Sequence, residues 1–330
     1  VREGRVVGEG WHRRAGEPHA ELVALAQAGG AARGATVYLT LEPCSHFGRT
    51  PPCVDALVEA SVGRVVAAME DPNPRVNGRG LERLRAAGID VRCGLLEQEA
   101  RELNVGFVSR MSRGLPWVRL KVAASLDGGT ALRNGRSQWI TGEAARTDGH
   151  AWRARACAIL TGIGTVRDDD PELTVRLVPT TRQPLRVLVD SRLEVDVEAK
   201  LFRAGGPVLV ACATDNPEKE AELRDRGCEI LKLANAGGKV DLPALMRELA
   251  AREINELHVE AGARLNASLL REGCVDELLV YLAPSLLGDA AGMFALPPLE
   301  DLEQRVRLAF QSVDRVGEDL RVIARPVREG

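Results

Sequence analysis

The sequence predicts an α/β protein made of two successive domains with largely parallel sheets. The chain has 330 residues, which is more than a typical single domain of roughly 100 to 200 residues. Short apolar segments rich in Val, Leu and Ile alternate with helix-like segments along its whole length, as is typical of α/β folds. Near residues 113–116 a helical pattern stops and a new strand pattern begins. We therefore expect domains at residues 1–113 and 114–330.

The first predicted domain alternates strands and helices after a short opening segment. That opening, VREGRVVGEGW, predicts the end of one strand, a glycine-containing turn and a second strand from Val6 to Trp11. The elements expected after it are a helix from about His19, a strand at 36–40, a helix from about Pro52, a strand at 64–69, a helix at 80–88, a strand at 90–93 and a polar helix from Glu97.

The second predicted domain repeats this alternation with more strands. Strands are expected at 117–125, 157–162, 185–190, 207–212, 228–233, 256–262 and 276–284, with helices between most of them. The chain then ends in two expected antiparallel strands, RVRLAF at 305–310 and DLRVIARP at 319–326. No repeat of 20 to 50 residues is visible, which excludes a solenoid.

The composition is that of a globular protein acting on small molecules. Apolar residues make up 45% and charged residues 28% of the chain, too hydrophobic a balance for disorder. The net charge of −3 argues against nucleic-acid binding, which needs a basic surface. The sequence has neither a membrane-spanning apolar run nor a secretory signal. Its seven scattered cysteines are typical of reduced thiols or metal ligands, so we expect a cytoplasmic protein.

The strongest functional pattern is a set of possible zinc ligands. His19 and Glu21 occur in HAE, Cys44 follows in EPC, and Cys53 comes after eight intervening residues. A hydrolytic zinc site needs three nitrogen or sulfur ligands and an open position for water, which His19, Cys44 and Cys53 supply. Glu21 is placed to move protons without binding the metal, as in zinc deaminases. Any one of these residues alone is more often structural, but their joint occurrence favours a catalytic zinc site.

Two alternatives remain open at this point. A deaminase of nucleic-acid bases shares the HAE and PC motifs, but it needs a basic surface with aromatic side chains. A protein with a purely structural zinc site, whose only activity lies in its second domain, needs a fourth protein ligand. His12 and His46 are the nearby candidates for that ligand.

The residues around these ligands resemble one family. EPCSHFGRTPPC at 42–53 and DPNPRVNGRG at 71–80 are similar to the deaminase domain of the RibD family of riboflavin biosynthesis, which has a cytidine-deaminase-like α/β sandwich. The resemblance implies hydrolytic deamination of 2,5-diamino-6-ribosylamino-4(3H)-pyrimidinone 5′-phosphate, with His46 and Arg49 at the phosphate. The family's N-terminal helix and NPxVG-type segment are not found, so we expect further residues before Val1.

The second half has no dinucleotide-binding fingerprint, because GIGTV is followed by Arg167 where a third glycine should stand. KVAASLDGGTAL, SQWITG, GIGTVRDDDPELTVR, LVDSRL and VEAGARLNASLL nevertheless resemble the RibD reductase, which has a dihydrofolate-reductase-like α/β fold. The resemblance implies that NADPH contacts Ala123, Trp139, Thr165, Asp169, Ser191 and the segment Gly262, Ala263, Arg264, Leu265, Asn266, Ala267 and Ser268. That segment runs from a strand end into a helix, where free N–H groups favour phosphate.

The same resemblance implies a substrate and a reaction for the second domain. The substrate contacts would be Ser137, Arg153, Leu173, Arg176 and Glu260, with Lys121 and Asp127 lining the same cleft. The reaction would transfer hydride from the nicotinamide to C1′ of 5-amino-6-ribosylaminouracil 5′-phosphate and give the ribityl product. We expect Zn²⁺ and NADPH as cofactors, phosphorylated pyrimidines as partners, no nucleic acid or membrane, and assembly as a homo-oligomer.

Overall fold

The computed structural model describes residues 1–14, 16–47, 51–74 and 76–327. The chain divides into two compact units, Val1–Arg113 and Gly114–Gly330. The division falls where the strand and helix pattern of the sequence restarts. Among the described residues, none of the helices has the length and apolar character needed to cross a bilayer.

The first unit is an α/β structure around a three-stranded parallel sheet. Its strands pair in the order β1–β2–β3. They are β1 (Thr36–Leu39), β2 (Arg64–Ala67) and β3 (Asp90–Cys93), and the helices are α1 (Ala20–Ala28), α2 (Cys53–Glu59), α3 (Arg79–Ala86), α4 (Glu97–Leu103) and α5 (Val105–Arg113). The core joins Leu57 of α2, Val65 of β2 and Leu84 of α3. These elements agree with the sequence expectation to within a few residues.

The strand expected from Val6 to Trp11 is wrong. The expected turn is present, because Glu3 and Gly4 have positive φ and Arg2 and Arg5 form an antiparallel bridge. The following residues lie against α1 instead of in a sheet. A Cβ at Gly8 or Gly10 would overlap carbonyl oxygens of that helix. These two glycines, which in the sequence are typical of strand ends and turns, therefore allow the backbone to pack closely against a helix.

The second unit contains a nine-stranded sheet with helices on both faces and a separate two-stranded sheet. Its helices are α6 (Glu143–Arg155), α7 (Ile163–Asp169), α8 (Lys200–Arg203), α9 (Pro217–Asp225), α10 (Leu242–Ala251) and α11 (Ala263–Arg271). Its strands are β4 (Trp117–Ser125), β5 (Gly129–Leu132), β6 (Ala158–Gly162), β7 (Leu185–Val189), β8 (Val208–Cys212), β9 (Cys228–Lys232), β10 (Glu256–Val259), β11 (Glu277–Ala283), β12 (Ala290–Gly292), β13 (Leu308–Val316) and β14 (Asp319–Pro326).

The large sheet has the order β13-β14-β11-β4-β10-β6-β7-β8-β9. All neighbouring strands from β11 to β9 are parallel, and β14 and β13 are antiparallel, as expected from the sequence. The first of the two last strands begins at Leu308 instead of Arg305, because residues 302–304 form a 3-10 turn. The small β5–β12 sheet was not expected.

The order of the strands determines where a ligand can bind. After β6 the chain adds β7, β8 and β9 towards one edge, and it then returns to place β10 between β4 and β6. Ligands in open parallel sheets bind beyond the carboxyl ends of the strands at such a reversal. The topology therefore indicates a site for this unit at the carboxyl ends of β4, β6 and β10.

The two faces of β4 differ in chemistry. Val118, Leu120 and Val122 belong to the apolar core, whereas Arg119 and Lys121 lie on the opposite face because side chains alternate along a strand. Arg119 forms ion pairs with Glu277 at 2.6 Å and with Glu256 at 3.0 Å. A charged layer thus lies on one face of the sheet.

Candidate active sites

The three predicted zinc ligands converge in the first unit. The donor atoms of His19, Cys44 and Cys53 all lie within 4.8 Å of one another. His19 Nδ1 is 3.1 Å from Cys53 Sγ and 3.5 Å from Cys44 Sγ. One nitrogen and two sulfur donors at this separation fit a tetrahedral zinc ion that keeps one position for water.

Helix starts and a turn hold the triad in place. His19 is the N-cap residue of α1, Cys53 is the first residue of α2, and Cys44 lies in the turn after β1. The Cys53 N–H donates to Cys44 Sγ at 3.3 Å. The pKa of Cys44 is lowered to about 6, first by its hydrogen bond with the Cys53 thiol, and that same bond raises the pKa of Cys53. Both cysteines must lose their protons to bind a metal ion.

His19 and Cys44 of the triad line a cavity of about 490 Å³ that Glu21 also lines, and Cys53 is buried behind them. Glu21 stands close enough to Cys53 to raise the pKa of its thiol further, and it is not one of the three clustered donors. The predicted phosphate contact His46 is not among the residues lining this cavity. Arg49 falls outside the described residues.

Within the described part of the chain, the metal cluster has only three members. His12 packs edge-on against His19 with ring centroids 5.0 Å apart, and its Nδ1 lies 3.2 Å from the Pro18 carbonyl oxygen. Neither His12 nor His46 belongs to the cluster. A site with three protein ligands favours catalysis over a structural role.

Replacing Cys44 by Ser should abolish most of the zinc bound to the purified chain. A hydroxyl is a much weaker zinc ligand than a thiolate, and two remaining ligands hold the ion poorly. Metal analysis should show close to one equivalent in the wild type and little in Cys44→Ser. The exposed Cys93 provides the matched control, since Cys93→Ser should keep its zinc. Unchanged zinc in Cys44→Ser would refute this ligand.

The second unit contains a cleft of about 1090 Å³ at the expected edge of the sheet. Many of the residues predicted to bind NADPH or substrate line it. From the cofactor set these are Ala123, Trp139, Thr165, Asp169, Gly262, Ala263 and Asn266, and from the substrate set Lys121, Ser137, Arg153, Leu173, Arg176 and Glu260. The predicted residues that do not line it are Ser191, Arg264, Leu265, Ala267, Ser268 and Asp127.

Glu260 is the centre of a buried charged group in the cleft. Its carboxylate accepts from Arg153 Nε at 2.5 Å and Nη2 at 2.9 Å, and Lys121 Nζ lies 4.0 Å away. Burial alone would raise the pKa of Glu260, but the charges of Arg153 and Lys121 outweigh it and hold that pKa well below its ordinary value. Burial lowers the pKa of Lys121. The cleft therefore contains a fixed anion between two cations.

The carboxylate of Asp127 binds backbone N–H groups of a turn outside the cleft lining. Its carboxylate accepts the backbone N–H groups of Leu287 and Gly288, at distances from 2.8 to 3.1 Å. It also accepts the Ser125 hydroxyl, and this bond contributes most to lowering the pKa of Asp127 to about 2. Asp127 thus ties together two turns near the β5–β12 sheet. Ser191 similarly accepts the N–H of Val240 at 3.1 Å.

The start of α11 fits a phosphate group of a dinucleotide. Gly262 is its N-cap residue and no side chain caps the helix. Asn266 in the first turns is 2% exposed, and its Oδ1 has no hydrogen-bond partner. Unsatisfied N–H groups at a helix N-terminus attract anions. The segment expected to bind NADPH therefore has the chemistry for it, although several of its side chains face the core.

Sequence reasoning missed three residues of the two sites. His150 and Tyr281 line the cleft, and His150 Nδ1 accepts the Arg176 N–H at 3.1 Å. Burial lowers the pKa of His150 to about 4. Its position three residues before Arg153 on the same helix was the available signal. The third residue is Glu42 of the EPC motif, which lines the deaminase cavity and to which the motif alone gives no role.

Two family models match the chain. The model described as the cytidine and deoxycytidylate deaminase zinc-binding region matches residues 1–69, and the RibD C-terminal domain matches residues 116–322. The first match includes the zinc triad, and the second includes the cleft. The chain thus joins a zinc-binding deaminase domain to a reductase domain of the dihydrofolate-reductase-like class.

Relatives of similar length share this arrangement. The riboflavin biosynthesis protein RibD of Escherichia coli is 48% identical and aligns with 97% of this chain and 90% of its own length. Among solved structures, Acinetobacter baumannii RibD has a TM-score of 0.91 at 43% identity, covering 99% of this chain and 91% of that one. A deaminase/reductase from Thermotoga maritima has a TM-score of 0.87 at 31% identity, covering 99% and 90%.

This chain belongs to the RibD family of riboflavin biosynthesis proteins. It is a bifunctional deaminase and reductase with a His/Cys/Cys zinc-binding triad, and its reductase domain implies a nicotinamide cofactor. The RibD C-terminal domain speaks against a nucleic-acid base deaminase. The presence of the triad favours two activities over reduction alone.

Proposed function

We propose that the chain deaminates 2,5-diamino-6-ribosylamino-4(3H)-pyrimidinone 5′-phosphate and then reduces 5-amino-6-ribosylaminouracil 5′-phosphate with NADPH. The observation that carries the first step is the triad, whose donor atoms lie within 4.8 Å of one another and of which His19 and Cys44 share one cavity with Glu21. The similar Thermotoga maritima protein is described as a deaminase and reductase of phosphoribosylamino pyrimidines. The two units then catalyse consecutive steps on one substrate skeleton.

In the deaminase, His19, Cys44 and Cys53 would hold zinc, which when bound makes a water molecule nucleophilic near neutral pH. Glu21 takes a proton from the attacking water and gives it to the ring nitrogen, and it then transfers the remaining hydroxyl proton to the amine. The exocyclic amine leaves as ammonia and a carbonyl replaces it. We propose that His46 and Arg49 bind the phosphate, for which a guanidinium is well suited.

In the reductase, NADPH when bound would supply the hydride for C1′ of the ribosyl group in its ring-opened imine form, in which the C1′–O4′ bond is broken and O4′ carries a proton. The imine nitrogen takes a proton from water as the hydride adds to C1′. Gly262, Ala263 and Asn266 place the start of α11 at the cleft, where its N–H groups bind a cofactor phosphate. The cofactor contacts also include Ala123, Trp139, Thr165, Asp169, Ser191 and the rest of the segment to Ser268. Some of these act through the backbone or through packing, because their side chains do not line the cleft.

The charged residues of the cleft bind the substrate. Arg153 and Arg176 provide two guanidinium groups for a polar, phosphorylated ligand. Glu260 and Lys121 are buried beside them, and their fixed charges orient the sugar and the ring without reorganisation during the reaction. Ser137 donates to Asp169 at 2.8 Å and so links a substrate contact to a cofactor contact. Leu173 forms part of the apolar wall.

The test is to follow ammonia and NADPH separately. The full chain is supplied with the diaminopyrimidinone phosphate, with and without NADPH. Ammonia should appear in both reactions, and NADPH oxidation should follow deamination. Reduction without prior release of ammonia would contradict the proposed order. A cytoplasmic location and a homo-oligomeric state stay predictions.

A chain of residues 114–330 should fold and act as a reductase by itself. Every residue proposed for NADPH and substrate in this step lies within the second compact unit. The shortened chain should therefore oxidise NADPH when supplied with the deaminated substrate, at a rate within about tenfold of that of the full chain. A truncated chain that folds, as judged by circular dichroism, but does not bind NADPH would show that the cofactor site needs residues before Gly114.

A further inference from the structure

The carboxylate of Glu42 has no part in the chemistry proposed above, although it lies two residues before Cys44. It is only 3% exposed and accepts four backbone N–H groups. Oε2 accepts from Asp71 at 3.0 Å and from Gly78 at 2.8 Å, and Oε1 accepts from Gly80 at 2.8 Å and from Leu81 at 3.4 Å. A charge buried in this way binds its donors strongly.

Two of these donors belong to the first turn of α3. The N-cap residue of this helix is Gly78, which offers no side-chain cap. Glu42 accepts the otherwise unpaired N–H groups of Gly80 and Leu81 and places a negative charge at the positive end of the helix. A Cβ at Gly80 would overlap the Pro43 carbonyl oxygen. The backbone at Gly80 therefore approaches the backbone at Pro43 so closely that only glycine fits there.

Of the two other donors, Gly78 and Asp71, Asp71 connects this arrangement to the deaminase cavity. Asp71 lines that cavity together with His19 and Glu21. Its side chain accepts the Asn73 N–H at 2.8 Å, which fixes the carboxylate relative to its own backbone. The position of the Asp71 side chain in the cavity wall thus depends on the hydrogen bond by which Glu42 holds the Asp71 backbone N–H.

We propose that Glu42 is a positioning residue of the deaminase site. Its carboxylate holds the start of segment 71–81 and the start of α3 against the turn of Cys44, and thereby sets Asp71 in the cavity wall. Glu42 itself is outside the donor cluster formed by the metal ligands. This inference rests on the proposed deaminase function.

The first variant is Glu42→Gln in the full chain. The amide NH₂ would face backbone N–H donors that need an acceptor, so the segment should detach on one side. Hydrogen exchange should become faster at Asp71, Gly78, Gly80 and Leu81. Zinc content and reduction of the deaminated substrate should stay at wild-type levels. Deaminase kcat/KM should fall by about tenfold to a hundredfold, mainly through a higher KM.

A second variant approaches the same contact from the other side. Gly80→Ala leaves the carboxylate intact but forces the segment away from it, so the kinetic and exchange changes should match those of Glu42→Gln. The exposed Glu82, also in the first turn of α3, provides the matched control. Glu82→Gln removes a charge from the same helix end and should leave the deaminase KM unchanged.

A double-variant cycle separates positioning from a general loss of structure. If Glu42 acts through Asp71, then Glu42→Gln should have little further effect on kcat/KM in an Asp71→Asn background. Equal effects of Glu42→Gln in both backgrounds would overturn the proposal.

Unchanged hydrogen exchange in Glu42→Gln would also overturn the proposal. So would loss of zinc in both Glu42→Gln and Gly80→Ala, because Glu42 would then support Cys44 instead of segment 71–81. A wild-type chain that releases no ammonia would overturn the proposed function. The exchange measurements would still show whether Glu42 holds Asp71 and the start of α3 in place.

Discussion

Replacing Glu21 by Gln is expected to lower the deamination rate by about 10² to 10⁴-fold, the usual contribution of general acid–base catalysis. Glu21 lines the same cavity as His19 and Cys44 of the zinc triad and lies close to Cys53. Gln has nearly the same shape but cannot accept and return a proton. The effect should appear in kcat, because the lost proton transfer belongs to the reaction and not to substrate binding.

The variant has two internal controls. Zinc content should remain near one equivalent, since Glu21 is not in the donor cluster. NADPH oxidation with the deaminated substrate should be unchanged, because that reaction belongs to the other unit. Glu17→Gln changes an exposed acid before the same helix and should deaminate normally. A Glu21→Gln chain with full zinc and wild-type deamination would assign the proton transfer to another group.

Replacing Glu260 by Gln should impair reduction and leave deamination intact. Glu260 pairs with Arg153 through both oxygens and lies near Lys121. Without the carboxylate, two buried cations remain uncompensated at the place where the substrate binds. A buried polar contact is typically worth about 1–3 kcal/mol, so reductase kcat/KM should fall by about one to two powers of ten. Steady-state NADPH oxidation measures this directly.

The loss must be separated from simple destabilisation, because removing one member of a buried ion pair can cost about 3–5 kcal/mol of folding free energy. Glu256 provides the matched control, since it begins β10, which ends directly before Glu260, and it pairs with Arg119 and Arg155 but does not line the cleft. Glu256→Gln should lower the unfolding midpoint with little change in kcat/KM. Equal kinetic losses in both variants would mean that Glu260 acts only through stability.

Long-range polar contacts limited what the sequence could predict about the sites. Glu42 meets Gly78 and Gly80 across more than thirty residues, and Arg153 meets Glu260 across 107 positions. Nothing in the local pattern of these residues indicates such partners. For Asp127, the resemblance of its motif implies a place in the cleft. Its carboxylate instead binds the backbone of a turn at Leu287 and Gly288, a contact that the motif does not indicate.

By itself the sequence determined the two domains, the parallel strands and the zinc donor set. Strand and helix periods and short motifs are local properties, and they report which side chains are buried and which have the chemistry for a metal. Only the tertiary structure decided which predicted residues reach the cleft. It also placed the segment from Val6 to Trp11 against a helix and brought the carboxylate of Glu42 to the backbone N–H groups of Asp71, Gly78 and Gly80. The physical reason is that hydrogen bonds and ion pairs depend on distances between atoms far apart in the chain, which periodicity does not encode.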